Sequence, residues 1–242
     1  MTTYEFKRWI SYPILPVLLI QVRQELKKLI KRSSSKLQIL DVGGRKSPYT
    51  IGLSTDVVLL DVPQENHTQE SLNLGFTDNI LSSIKNDRSN ISDVIIQDMT
   101  KSKLNDESYD AVVCVEVIEH VEADDLFVQN IAKVIKKNGW AYFTTPNGDF
   151  IKNEGPNKNP DHKRHYTKDQ LKKLLEKYFA EVDVYYAVRT GKFRLWSLKS
   201  YSLNKPHLII RSMLGSWINR FQSSNVKESK THTAHLIAVA MK

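Results

Sequence analysis

Ile39-Leu40-Asp41-Val42-Gly43-Gly44 is answered 20 residues later by Val57-Val58-Leu59-Leu60-Asp61. The first apolar run closes on an acid and two glycines, the second on an acid. Short apolar runs of this kind read as strands covered on both faces, which is how a parallel α/β sheet is built. Glycine at a strand's end lets backbone approach a ligand with no Cβ in the way. An acid ending the next strand accepts hydrogen bonds from both hydroxyls of a ribose. The pair therefore reads as a nucleoside site. The full G-x-G-x-x-G pattern is absent, so the remaining chain has to decide.

Working outward, Leu37–Val42 and Val57–Val62 are the first two strands. Only 14 residues separate them, with Pro48 and Gly52 among them, so the first crossover is expected to be short or irregular. Residues 63–90 are polar and read as a loop with one short helix near Asp78–Lys85. Asp93–Ile96 and Ala111–Val115 are strands three and four. Asp124–Lys137 is a helix with Leu126, Phe127, Ile131, Val134 and Ile135 on one face, ended by Asn138-Gly139. Trp140–Thr144 is strand five, Thr167 caps a helix running to Tyr178, Glu181–Ala187 is strand six and Ala234–Met241 the last strand. The expected fold class is α/β: a doubly wound, mostly parallel seven-stranded sheet. A helix is expected from Pro16 to Lys31, either packed on the sheet or resting on a membrane. Four regions follow: an N-terminal helical segment 1–35, a core 36–187, an insert 188–233 and a last core strand 234–242.

The lone cysteine, Cys114, excludes an internal disulfide and reads as a small buried hydrophobe. The apolar stretch Trp9–Ile20 contains two prolines, lacks a small-x-small cleavage site and is too short to span a bilayer. A cytoplasmic protein is expected, with peripheral membrane contact allowed. The net charge of +8 is uneven. From Val184 to Lys227 there is no Asp or Glu, while Arg189, Lys192, Arg194, Lys199, Lys205, Arg211, Arg220 and Lys227 supply the whole excess.

The junctions together resemble class I S-adenosylmethionine-dependent methyltransferases. Asp41-Val42-Gly43-Gly44 is similar to their first motif and Asp61 to their ribose-binding acid. Gln97-Asp98-Met99 stands where they contact adenine, and Ser108–Val121 resembles the S-F-D-x-V-x-x-x-E-V-x-E-H-V run of ubiquinone-type O-methyltransferases. The resemblance implies S-adenosylmethionine as cofactor, bound by Asp41, Gly43, Gly44, Asp61, Val62, Asp98, Met99, Val115 and Glu116. Two further stretches, Gly43–Tyr49 and Asn159–Thr167, resemble a subset that accompanies glycan and cell-surface polysaccharide biosynthesis. One departure stands out: Lys46 or Ser47 occupies the usual third glycine position.

Methyl transfer from a sulfonium needs orientation, a dry site and, for a hydroxyl acceptor, a base. His120, just past strand four, and His162 and His165, in the loop after strand five, are the candidate catalytic residues. The acceptor is expected to be a small molecule, sugar or lipid-linked glycan, and no metal is expected. Two alternatives stand beside this reading. Glu116, Glu119, His120 and His162 resemble the divalent-metal set of small-RNA 2′-O-methyltransferases. The departed glycine motif also suits a cofactor-binding protein without turnover.

In the insert, large apolar residues including Phe193, Trp196, Tyr201, Met213, Trp217 and Phe221 interleave with the basic ones, and Leu208–Phe221 is expected to form an amphipathic helix. A lid over the acceptor, a weak membrane contact and a nucleic-acid surface are the three readings, in that order; the large apolar residues favour the first two.

Overall fold

The structure is a computed structural model, and it describes residues 1–44, 47–63, 87–198 and 206–242. Its strands are β1 (Gln38–Val42), β2 (Asp56–Asp61), β3 (Ile91–Ile96), β4 (Tyr109–Val115), β5 (Ile135–Pro146), β6 (Glu181–Arg189) and β7 (Thr233–Met241). Its helices are α1 (Thr3–Ser11), α2 (Val17–Ile30), α3 (Asp124–Val134), α4 (Lys168–Leu175), α5 (Lys192–Leu198) and α6 (Pro206–Gln222). The strands form one seven-stranded sheet in the order β3-β2-β1-β4-β5-β7-β6. β7 runs antiparallel to both neighbours, and the other pairings are parallel.

The sheet is covered on both faces, which is why β1, β2 and β4 are apolar almost without interruption. On one face Phe127, Val128 and Ile131 of α3 and Leu171 and Leu175 of α4 pack on Leu40, Val112, Cys114 and Phe143. On the other, Val22, Leu26 and Leu29 of α2 pack on Ile39, Ala111, Val113 and Tyr142. So α2 is a core element, not a membrane-resting one. Its Glu25 accepts hydrogen bonds from the hydroxyls of Tyr142 at 2.7 Å and Tyr185 at 2.5 Å, tying α2 to β5 and β6.

Several expectations are corrected in detail. α1, a capped helix with Thr2 as N-cap, precedes the one expected helix of the N-terminus. α3 stops at Val134, not Lys137, and β5 begins at Ile135, not Trp140. The ladder pairs Tyr109 with Ile135 and then Ala111 with Trp140, so Lys136–Gly139 is an irregularity inside the strand. A Cβ at Gly139 would lie 2.6 Å from the Asp110 carbonyl, and Asn138 is left-handed (φ 62°), which accounts for the Asn-Gly pair without a helix end. α4 carries the Thr167 cap, with Gln170 answering it, but ends at Leu175. The first crossover holds no α-helix among its described residues. The expected helix near Asp78–Lys85 lies outside the described residues, as do Lys46, Lys199, Tyr201 and Lys205.

Candidate active site

A cavity of 580 Å³ opens at the carboxyl ends of β1, β2 and β4. This is the edge where ligands enter doubly wound sheets. The cavity is lined by Gly43, Asp61, Val62, Gln97, Asp98 and Met99 at the ends of β1, β2 and β3, by Val115 and Glu116 at the end of β4, and by His120, Glu122, Asp161 and Lys163 of the following turn and loop. Asp98 caps the turn Met99–Lys101, accepting from the Thr100 amide at 2.8 Å through one oxygen. The Gln97 side-chain amide nitrogen is buried and has no partner among the described residues, a donor facing a ligand site.

Asp41 and Gly44 do not line the cavity. Asp41 is fully buried and accepts from Ser47 Oγ at 2.5 Å, Thr50 Oγ1 at 2.9 Å and Tyr49 Oη at 3.3 Å. Burial raises its carboxyl above the ordinary range, against the pull of those bonds and of the nearby Arg88 guanidinium. A Cβ at Gly44 would sit 2.6 Å from the Asp41 carboxyl carbon, so this glycine makes room for Asp41 and not for a ligand. Ser47, one of the two residues expected at the third glycine position, turns its hydroxyl inward to the same acid. Gly43 does reach the cavity; it is left-handed (φ +72°), and a Cβ there would strike Val117 at 2.4 Å.

The chain leaves β4 through Glu116, a non-glycine residue in the left-handed region (φ 55°). This points Glu116 back to β5 and β7. It accepts from Thr144 Oγ1 at 2.9 Å, and His235 Nδ1 lies 3.1 Å from its other oxygen. His235 Nε2 in turn faces Arg194 Nη2 at 3.2 Å. Arginine only donates, so His235 accepts at Nε2 and donates at Nδ1. Burial would raise the Glu116 carboxyl, but the His235 imidazole and these hydrogen bonds hold it below the ordinary range.

The turn Ile118–His120 follows. Glu119 is completely buried; one oxygen accepts from Thr145 Oγ1 at 3.2 Å, and the other, Oε1, has no partner among the described residues. Burial first, and the negative charge of Glu116 second, push its carboxyl well above the ordinary range. The backbone amide of Lys163 donates to the Glu119 carbonyl at 2.7 Å and so folds the 159–165 loop over this turn.

That loop brings the three expected histidines together. His165 Nδ1 lies 2.7 Å from the Ile151 carbonyl, which only accepts, so His165 is protonated there. Its Nε2 must then accept from His162 Nδ1, 2.7 Å away, which leaves the lone pair of neutral His162 on Nε2. His120 Nδ1 donates to the Asp161 carbonyl at 3.0 Å, leaving its lone pair on Nε2 as well. The His120 and His162 rings meet edge to face at 4.7 Å. Burial, with the neighbouring His120 and His165 adding to it, lowers His162 to about 4. Only His120 of the three lines the cavity; His162 stands behind it and His165 behind His162. Glu119, His120 and His162 each offer a ligand atom within 4.8 Å of the others, whereas Glu116, the fourth member of the alternative metal set, is outside that group. His235, Arg194 and Thr145 were missed in the sequence. A histidine opening an apolar strand was the available signal for the first.

The methyltransferase-domain family model matches residues 18–183, more than half of the chain. The chain belongs to this family. Among curated relatives, the ubiquinone biosynthesis O-methyltransferase of Rickettsia akari is 31% identical over 55% of this chain and 50% of its own length. The mitochondrial one of Dictyostelium discoideum is 29% identical over 48% of this chain and 37% of its own. The chain thus spans half or less of these relatives' length. A possible histamine N-methyltransferase from Thermotoga maritima superposes over 98% of this chain and 95% of its own, with TM-score 0.58 and 13% identity. That likeness speaks for the fold alone.

S-adenosylmethionine is the cofactor of this class I family, and the lining residues fit it. Asp61 would serve as the acid for the ribose, the Gln97 amide, without a partner among the described residues, and the second Asp98 oxygen would meet the adenine edge, and Met99 and Phe127 would supply apolar wall. No described helix is long and apolar enough to cross a membrane.

Proposed function

We propose that the protein transfers a methyl group to the hydroxyl of a small-molecule acceptor entering beside His120. The bound cofactor supplies an already activated methyl group. The chain's residues orient the acceptor, exclude water and take its proton. One observation carries the reading: a histidine with its lone pair fixed on Nε2 by the Asp161 carbonyl lines the same cavity as the nucleoside-binding wall. His162, its own lone pair fixed by the His165–Ile151 relay, is the adjoining base. The relatives' names, both concerned with ubiquinone biosynthesis, favour a phenolic hydroxyl. The finer resemblance to glycan-associated enzymes finds no support in them. The test is methyl transfer from labelled cofactor to catechols, simple phenols, sugars and RNA, with products identified by mass spectrometry. Transfer to catechols or phenols but not to sugars or RNA is expected. Cofactor binding with no transfer to any acceptor would leave the binding-protein alternative.

A second reading rests on buried Glu119, whose Oε1 has no partner among the described residues and whose carboxylate lies with a ring nitrogen each of His120 and His162 in one group. A divalent cation would satisfy all three, since carboxylate and neutral imidazole are its ordinary ligands. In that arrangement the chain would orient the acceptor oxygen on the ion, in place of a free base. Treatment with EDTA separates the two readings: unchanged turnover supports the base, and loss restored by Mg²⁺ or Mn²⁺ supports the ion.

A further inference from the structure

Helix α6 is built inside out. Its buried residues are Ser212, Gly215, Ser216 and Asn219, all small or polar. Its exposed stripe is Ile210, Met213, Leu214, Trp217 and Phe221, at i, i+3, i+4, i+7 and i+11. A surface helix facing water has the opposite pattern. The orientation is locked. Ser216 Oγ donates to the Leu15 carbonyl at 2.9 Å, and Asn219 Nδ2 donates to the Arg189 carbonyl at 2.7 Å. A Cβ at Gly215 would already be 2.7 Å from the Trp196 Cβ, so α6 cannot roll to hide its stripe.

A second apolar stripe lies on α1, which meets the same turn as α6, Tyr12–Ile14. α1 exposes Phe6, Trp9 and Ile10, again at helical spacing. Trp217 is 72% exposed, Phe221 81% and Trp9 67%, far more than isolated surface apolar residues require.

The charge around these stripes has one sign. From Met1 to Gln24 the only acid is Glu5, which is buried and accepts from the Ser89 amide and hydroxyl. From Val184 to Lys227 there is none. Beside Trp9 a cavity of 410 Å³ is lined by Arg8, Arg23 and Lys27 and by one acid, the same Glu5, whose carboxylate is already engaged by Ser89. None of these three cations makes an ion pair among the described residues, while Arg23 is anchored by the Tyr49 and Ile51 carbonyls at 3.2 and 2.5 Å. Two copies of this cationic face would repel each other. An interface offering acyl chains and phosphates together satisfies both the stripes and the cations.

We infer that the face made by α1, the turn Tyr12–Ile14 and α6 docks on an anionic lipid surface, with the Arg8–Arg23–Lys27 cavity taking a headgroup phosphate. The inference is independent of the acceptor, because no residue of α1 or α6 lines the catalytic cavity. It also revises the reading of the Leu208–Phe221 helix as a lid.

Flotation of the full chain with vesicles of phosphatidylcholine, with and without phosphatidylglycerol, at low and high salt, tests it. Binding to the anionic vesicles is expected. Each surface cation multiplies partitioning by roughly fivefold, so the pair Arg8→Gln and Lys27→Gln should weaken anionic binding by roughly tenfold or more. The pair Trp217→Ser and Phe221→Ser should weaken it by at least roughly tenfold, with cofactor affinity by calorimetry unchanged as the check on folding. Absence of flotation with anionic vesicles overturns the inference. So does binding that neither pair of substitutions weakens. A concentration-dependent dimer that the Trp217/Phe221 pair abolishes, with no vesicle binding, assigns the face to a second copy instead.

Discussion

Asp41 and Asp61 stand near the ends of neighbouring strands, yet only one faces the cavity. Asp41 holds the loop after β1 through Ser47, Tyr49 and Thr50. Asp41→Ala leaves buried hydroxyls and the buried Arg88 uncompensated. It should cost about 2–4 kcal/mol in urea unfolding, several times a surface substitution. Asp61→Ala should cost less stability than Asp41→Ala and weaken cofactor binding by about 1.5–3 kcal/mol in calorimetry, the range for hydrogen bonds to a charged group. Equal losses of stability in the two variants would contradict this division. A residue type at a strand's end was legible in the sequence; which way it turns depends on partners such as Thr50 and Arg88, which no motif announces. The same holds for Glu116, whose left-handed backbone removes it from the set its spacing suggested. His162 carries a pH prediction. Its folded value of about 4 lies below the ordinary 6.5, so the unfolded chain binds the proton more readily between those values. Its neutral form stabilises the fold fully above 6.5, and that contribution is lost as pH falls toward 4. If it is the base, the acid limb of kcat/KM falls well below pH 6.5 and disappears from the profile of His162→Ala; a limb near 6.5 unaffected by the substitution would exclude it.

At the scale of elements, α2 is held by a carboxylate between two tyrosines. Tyr142 is fully buried, and burial together with the Glu25 charge keeps its hydroxyl, like that of Tyr185, strongly protonated and donating. Glu25→Ala removes one acceptor from two hydroxyls and should lower stability by about 2–4 kcal/mol; the further changes Tyr142→Phe and Tyr185→Phe should restore part of it. A triple variant no more stable than Glu25→Ala alone would show that the tyrosines find other partners. Strands covered on both faces were legible because burial demands unbroken apolar runs, as in Val57–Leu60. The boundary between α3 and β5 was not. Val134 and Ile135 suit either element, and the Asn138-Gly139 pair that reads as a helix end is an irregularity imposed by the Asp110 carbonyl. α1 was missed because a nine-residue helix carries too few turns for its period to show.

Across the whole molecule the cavity draws on residues from Val42 to Lys163, so no fragment of the sheet presents it. A ligand of this cavity therefore binds the folded chain and not the unfolded one. S-adenosylhomocysteine at a hundred times its Kd should add about 2.7 kcal/mol to stability. For a chain of this length that raises Tm by roughly 5–10 °C. Asp61→Ala should reduce the shift at the same ligand concentration, because the linkage depends only on concentration relative to Kd. The outer face of α1 and α6 shares no lining residue with the cavity. Anionic vesicles should accordingly leave the ligand-induced shift as it is, even while they bind the protein. Two sites with distinct elements and no shared side chains have no direct path for coupling. A thermal shift by S-adenosylhomocysteine that vesicles change by a factor of ten in apparent Kd would contradict that separation and place the lipid face in contact with the reaction.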